Sequence, residues 1–297
     1  MSFVWTKEQL QAARRRTPFV ARFTGAEILW TLGRTDEAVV AEVLPGPLRP
    51  APDPLVFTFV ANYPQTNFGV AYREGALFVA AMHRGELGWY CLSMPVDDDS
   101  AMIGGRDIQG FPKKMADRIT LEQDGISVVG TVERRGVPIL RIEGDYQDPI
   151  RPAALPWPGR LTTDLDGRTA FAETAFLFKY SPSADGSSLA HLPQLVRQVT
   201  LFAPGEEQNL GVGKLELASS PVDPLGQIPV RDIVHTGFGV FDTEMMPARV
   251  VRRIYNPMGF APYAMLKHDI FAQLDLTAMP ETGARERWQR RRRLARY

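Results

Sequence analysis

A single cysteine, Cys91, excludes an intramolecular disulfide and any zinc site built from several thiolates. It fits a reducing compartment, and a cytoplasmic location is the expectation. No apolar run approaches the roughly 20 residues needed to span a bilayer. An apolar signal-peptide core is missing as well: Arg14-Arg15-Arg16 leads into Thr17-Pro18-Phe19-Val20-Ala21, and charge returns at Arg22. Net charge is absent, since 34 Lys+Arg balance 34 Asp+Glu, so nothing global points to nucleic acid or an anionic membrane. His83, His191, His235 and His268 are far apart and form no H-x-x-x-H pair, so they read as isolated side chains rather than metal ligands. Neither a Walker-type phosphate loop nor a G-x-S-x-G elbow occurs. Gly211-Val212-Gly213 and Gly237-Phe238-Gly239 lack the third glycine of a dinucleotide fingerprint and read as strand bends.

What is present is an ordinary globular composition, 44% hydrophobic and 23% charged, in a chain long enough to bury a large core unaided. The 25 glycines and 24 prolines are spread along the chain, as in folds of many short strands. Residues 6–16 predict a helix capped by Thr6, with Gln9 at the capping-box position. Thr35–Leu44 predicts a second helix, with Asp36 and Glu37 in its first turn and Pro45 after it. Leu55–Ala61, Val70–Glu74, Leu77–Met82, Trp89–Met94, Ile126–Val132 and Ile139–Ile142 then read as strands. Turn residues separate them, including Glu74-Gly75, Arg84-Gly85 and Arg135-Gly136. Such a series predicts an antiparallel sheet or barrel. Residues 148–168, with four prolines, read as a crossing loop and a candidate domain boundary. Strands resume at Ala175–Tyr180, Leu195–Phe202, Lys214–Ala218 and Ile233–Phe241, and the chain from Pro247 onward reads as mostly helical. Seven arginines between Arg285 and Arg296 read as a solvated helix face or a subunit contact, since the neutral chain lacks the balance of a nucleic-acid binder.

The informative stretch is Gly104-Gly105-Arg106-Asp107-Ile108-Gln109-Gly110-Phe111-Pro112-Lys113-Lys114. Alone, a Lys-Lys pair is a solvated doublet. Here Pro112 fixes its own φ and pushes Phe111 into an extended conformation. If Gln109 through Lys113 is extended, Gln109, Phe111 and Lys113 share one face and Lys114 takes the other. An aromatic ring beside an amine helps to desolvate it. That matters because a lysine attacks carbonyls only when neutral, and its reference pKa is about 10.4. Bringing such a group towards 7 takes roughly 4–5 kcal/mol of bias against the charged form.

The stretch resembles the G-R-E-x-x-G/A-Y-P-K-K signature of the acetoacetate decarboxylase family. The likeness extends from about residue 20 to Tyr255. It takes in Arg34-Thr35-Asp36, Pro54-Leu55-Val56, Tyr72-Arg73-Glu74, Phe176-Leu177-Phe178-Lys179 and Ile228-Pro229-Val230-Arg231-Asp232. The resemblance implies one mainly β (α+β) domain over residues 1–255, an antiparallel, cone-like barrel with flanking helices. Residues 256–297 would be a helical, basic extension.

It also implies an imine-forming lyase acting on a small keto acid, with acetoacetate decarboxylase the established example of a lysine so activated. Lys113 corresponds to the Schiff-base nucleophile and Glu74 to the pocket carboxylate. Lys114, Gln109, Tyr72, Phe111, Phe59 and Arg106 are implied in substrate binding or in tuning the lysine. From sequence alone, Glu74 reads instead as a turn residue before Gly75. No metal or organic cofactor is implied, and family members form homo-oligomers. Two family charges are absent: Ala26 stands where the family has arginine, and Phe59 where it has a second glutamate.

Decarboxylation of a β-keto acid is therefore the first expectation. An aldolase-dehydratase that condenses pyruvate with an aldehyde through the same lysine is the alternative, favoured by Ala26, Phe59 and Gln109. A barrel that binds a small ligand without catalysis is the reading from a different class, and it leaves Lys113 exposed.

Overall fold

The computed structural model describes residues 2–16, 19–184, 186 and 188–269, apart from the side chain of Leu266. The main strands, in chain order, are β1 (Ala21–Arg34), β2 (Leu55–Tyr63), β3 (Tyr72–His83), β4 (Glu86–Val96) and β5 (Lys113–Met115). They continue with β6 (Arg118–Asp124), β7 (Ser127–Arg134), β8 (Val137–Pro149), β9 (Arg160–Thr163) and β10 (Thr169–Lys179). The last are β11 (Gln194–Leu217), β12 (Asp232–Met245) and β13 (Arg249–Arg253). The helices are α1 (Lys7–Arg15), α2 (Glu37–Val43), α3 (Asp99–Ile103) and α4 (Pro257–Ala264).

One curled sheet holds these strands in the order β9-β10-β4-β3-β2-β1-β12-β11-β8-β7-β6. A further antiparallel pairing of β10 with β11 joins the path back on itself, so the strands from β10 round to β11 form a ring. The ring is cone-like rather than a strict barrel. Its β4–β10 joint is parallel and holds two register pairs, Trp89 with Ala175 and Tyr90 with Phe176. Strands β6 to β8 lie over the outer face of β1–β3, where Val132 packs on Gly75 and Gly130 on Val60 and Leu29.

Alternation along the strands splits the core in two. Inside the ring sit the aromatics: Phe23, Trp30, Phe57, Phe59, Phe78, Trp89, Phe202 and Phe241. Outside lie mainly aliphatic side chains, among them Leu29, Val56, Val60, Val79, Val132, Ile139 and Ile142. Each fully buried side chain of this size contributes roughly 1.5–3 kcal/mol.

The α1 capping box forms as expected, Gln9 N donating to Thr6 Oγ1 at 3.2 Å and Thr6 N to Gln9 Oε1 at 2.8 Å. Several boundaries differ from the sequence reading. Val70–Glu74 and Leu77–Met82 are one strand, β3, with Gly75 in its middle rather than in a turn. A Cβ on Gly75 would lie 2.3 Å from Val132 Cγ2, so the glycine answers a close approach, not a reversal. Leu195–Phe202 and Lys214–Ala218 likewise fuse into β11. Residues 148–168 are no domain boundary: Trp157 is buried in the inner core, its ring centroid 4.8 Å from Phe241 and 5.0 Å from Phe202. The chain after Pro247 first adds β13 to β11, and helix begins only at Pro257. The arginine run at 285–296 lies outside the described residues.

Candidate active site

Lys113 reaches the interior through an insert between β4 and β5. Asp98 Oδ1 accepts from Ala101 N at 2.8 Å and caps α3. The helix then widens into a π-turn over Gly104–Gln109, which Gly110 ends at φ +101°. The backbone N–H groups of Gly110 and Phe111 both donate to Gly105 O, at 2.9 and 3.1 Å. That left-handed φ favours glycine, and a Cβ there would also lie 3.1 Å from the Phe178 carbonyl. After Pro112, β5 runs parallel to β4, placing Lys113 beside Met94 and Lys114 beside Pro95. Gly105 clears the way for the lysine stem: a Cβ on it would sit 2.5 Å from Lys113 Cε.

Inside the ring, Lys113 Nζ donates to Glu74 Oε2 at 2.5 Å. Both residues are buried, 3% and 4% exposed. A binding barrel without catalysis called for an exposed Lys113, and the structure places it in the core instead. Tyr72 and Glu74, two residues apart on β3, face inward together, while Arg73 between them faces out to Asp97. Lys113 Nζ stands 5.1 Å from the Tyr72 ring centroid. Burial first, then the Glu74 carboxylate, pushes the hydroxyls of Tyr72 and Tyr63 well above the usual phenol range. Both phenols therefore remain protonated donors.

Glu74, Tyr72 and Tyr63 border a cavity of about 50 Å³ that Phe59, Phe111 and Glu173 also line, and Lys113 meets it through its contact with Glu74. Among the described residues, no arginine or histidine lines it. Phe111 and Phe59 line the cavity together with Glu74. The Cys91 thiol is buried nearby, and burial, then Glu74, pushes it up. Ala26 also lies in the inner core.

Three expected residues lie elsewhere. Gln109 closes the π-turn, and the Gly110 conformation breaks the extended run that would have put it on Lys113's face. Arg106 donates to Asp107 Oδ1 at 3.0 Å and to Met102 Sδ, away from the cavity. Lys114 takes the outer face, as the alternation predicted, and meets a fixed set of partners there. Its Nζ donates to Val222 O and Asp223 Oδ1, both at 2.9 Å, and pairs with Asp269 at 3.0 Å. Arg134 joins the same two aspartates, at 2.8 and 2.6 Å. Burial alone raises the Asp223 carboxyl, but Lys114 and Arg134 outweigh it and hold it below the usual range. The same balance takes Asp269 to about 2. Lys267, after α4, reaches the carbonyls of Gly110 and Phe178 at 3.4 Å and so braces the turn that presents Lys113. A larger groove of about 460 Å³ opens on this outer side, lined by Lys114, Asp223 and Lys267.

Two ionisable cavity residues were missed, Tyr63 and Glu173. Tyr63 shares an inward face with Phe59 and Ala61, which the alternation of β2 carries in plain view. Glu173 lies on the apolar face Phe171-x-Glu173-x-Ala175, a polar interruption hidden when the strand is begun at Ala175.

Comparison with known proteins bears on this arrangement. A family model described as acetoacetate decarboxylase matches residues 10–255. The acetoacetate decarboxylase of Streptomyces nogalater is 32% identical over 230 residues, 77% of this chain and 88% of the relative. Among solved structures, acetoacetate decarboxylase from Legionella pneumophila shares the fold with a TM-score of 0.68 at 22% identity, covering 79% of this chain and 88% of that one. The enduracididine biosynthesis enzyme MppR, complexed with pyruvate, shares it at 0.61 and 17% identity, covering 80% and 91%.

Proposed function

This chain belongs to the acetoacetate decarboxylase family of enzymes, and we propose that it decarboxylates a small β-keto acid through an imine on Lys113. The observation that carries the proposal is the buried Lys113–Glu74 contact at 2.5 Å. At that distance the ammonium proton can pass to the carboxylate. That transfer frees the amine lone pair to attack a carbonyl while Glu74 holds the proton.

The amine adds to the substrate ketone. Glu74 returns its proton to the carbinolamine oxygen, water leaves, and a protonated imine remains. The bond to the substrate carboxylate then breaks, its electron pair moves into the imine to give an enamine, and carbon dioxide departs. Glu74 takes up a proton from water, delivers it to the enamine carbon, and addition of water to the resulting imine frees the ketone and returns Lys113. The walls of Phe59, Phe78, Trp89 and Phe111 favour the charge-dispersed state over the compact carboxylate. Tyr72 positions the Glu74 carboxylate. Lys114 anchors β5 from outside.

A second reading, aldol condensation and dehydration starting from pyruvate, is favoured by Phe59, which turns an apolar ring to the cavity where the family carries a glutamate. The fold likeness to an enzyme complexed with pyruvate supports it as well. The two readings separate on products. Acetoacetate should release carbon dioxide and acetone, and borohydride added with substrate should abolish turnover. A condensation product from pyruvate and an aldehyde, with acetoacetate left intact, would select the second reading. Borohydride-insensitive turnover would defeat both.

A further inference from the structure

A second carboxyl faces the cavity, and the imine chemistry makes no use of it. Glu173 sits mid-strand on β10, between Phe171 and Ala175 on the inward face and opposite Thr200 of β11. It is 8% exposed. Its Oε1 is buried without a hydrogen-bond partner among the described residues. Of the polar groups around it, Thr200 Oγ1 donates to Gln198 Oε1 at 3.0 Å and Gln198 Nε2 donates to Val199 O at 2.6 Å, which leaves the Trp157 indole N–H as the one donor beside the carboxyl. Gly159 leaves the carboxyl arm its room, since a Cβ there would lie 3.0 Å from Glu173 Cγ. A buried polar atom left unpaired is costly, and an apolar side chain would serve packing better. Such a group inside a cleft is a mark of ligand contact.

We infer that Glu173 determines substrate specificity: its neutral carboxyl donates a hydrogen bond to an oxygen on the carbon chain of the keto acid. The preferred substrates then carry a hydroxyl or second carbonyl beyond the imine-forming carbon. The inference rests on Lys113 being the imine-forming residue. Burial pushes the Glu173 carboxyl up to about 8, the Trp157 indole beside it offsetting little, so the group holds its proton at neutral pH. An ionised carboxylate in its place would repel a keto-acid anion. The neutral form both donates and accepts, as a hydroxyl or carbonyl oxygen requires. Aromatic walls alone discriminate poorly between chains that differ by one hydroxyl, whereas a site that hydrogen-bonds the oxygen rejects the analogue lacking it.

The test uses 3-oxobutanoate, 3-oxopentanoate and 3-oxohexanoate, each against its terminally hydroxylated analogue. The readout is the rate of borohydride-trapped adduct formation at Lys113, measured by peptide mass. Wild-type protein should favour at least one hydroxylated acid over its parent by about tenfold or more, the loss expected for one buried hydrogen bond. E173Q, which keeps an N–H donor, should retain most of that preference. E173L should bring the ratio to within about twofold of unity while still trapping the parent acid at Lys113. E173M provides the same test at closer side-chain length if E173L loses its circular dichroism spectrum. An unchanged ratio in the apolar variants, or no preference in the wild type despite trapping, overturns the inference and leaves the imine reading standing. Absence of trapping with every acid overturns the imine reading and the inference with it.

Discussion

Lys113 and Lys114 share a peptide bond, and the inner and outer faces of the ring treat them differently. Outside, Lys114 meets two aspartates, a carbonyl and a neighbouring arginine that binds the same aspartates. Every charged group in that cluster is held by more than one partner, which suits anchoring. Inside, Lys113 has one charged partner, Glu74, and an aromatic ring 5.1 Å away, that of Tyr72, and these two partners line a small cavity. A single short contact next to empty space can be given up to a substrate. A saturated cluster cannot, except at the expense of the fold.

The contrast fixes what should happen when either side is altered. K113A should lose about 10⁴-fold or more in turnover, measured by carbon dioxide release from folded protein, because it removes the nucleophile itself. D223A should do the opposite. It leaves Lys114 and Arg134 buried with one fewer counter-charge, so denaturant unfolding should show a loss of up to about 5 kcal/mol. Protein that remains folded should still trap keto acid at Lys113.

Glu173 allows a third test, on pH. Its folded-state value of about 8 lies above its ordinary 4.5. The unfolded chain therefore releases this proton first, and the stabilising contribution, complete below about 4.5, is lost as pH rises towards 8. E173Q should gain stability relative to wild type across that window, on the order of 4 kcal/mol by its upper end. A pH-independent difference between the two unfolding curves would count against a neutral carboxyl. The smallest effect is expected at Gly105. G105A puts a methyl group against the Lys113 stem, where the flexible lysine yields rather than the backbone, so turnover should fall by up to about 100-fold with stability nearly intact.

The outer and inner faces were also unequally legible in the sequence. Strand alternation and the Pro112 constraint placed Phe111 with Lys113 and put Lys114 on the far side. The i, i+2 spacing of Tyr72 and Glu74 was sufficient to put both on one face once the strand was recognised. What misled was Gly75. Next to a glutamate it has the look of a turn, and its real cause, the approach of Val132 from β7, depends on a strand nearly sixty positions away, which no local pattern carries. Gln109 was misplaced for a related reason: the positive φ of Gly110 is a local signal, but the preceding π-turn exists because α3 is capped by Asp98 and packs into the insert. Asp223 and Asp269 were invisible as partners of Lys114 because their sequence separation from it is set only by the closed ring and the segment after α4.

Borohydride reduction in the presence of a reactive keto acid, followed by peptide mass mapping of the Lys113-Lys114 segment, decides between the two faces most directly. The account predicts a reduced adduct on Lys113 alone, with Lys114 unmodified and no label at Lys113 when Glu74 is replaced by alanine. Label on Lys114, or spread evenly over exposed lysines, would contradict it.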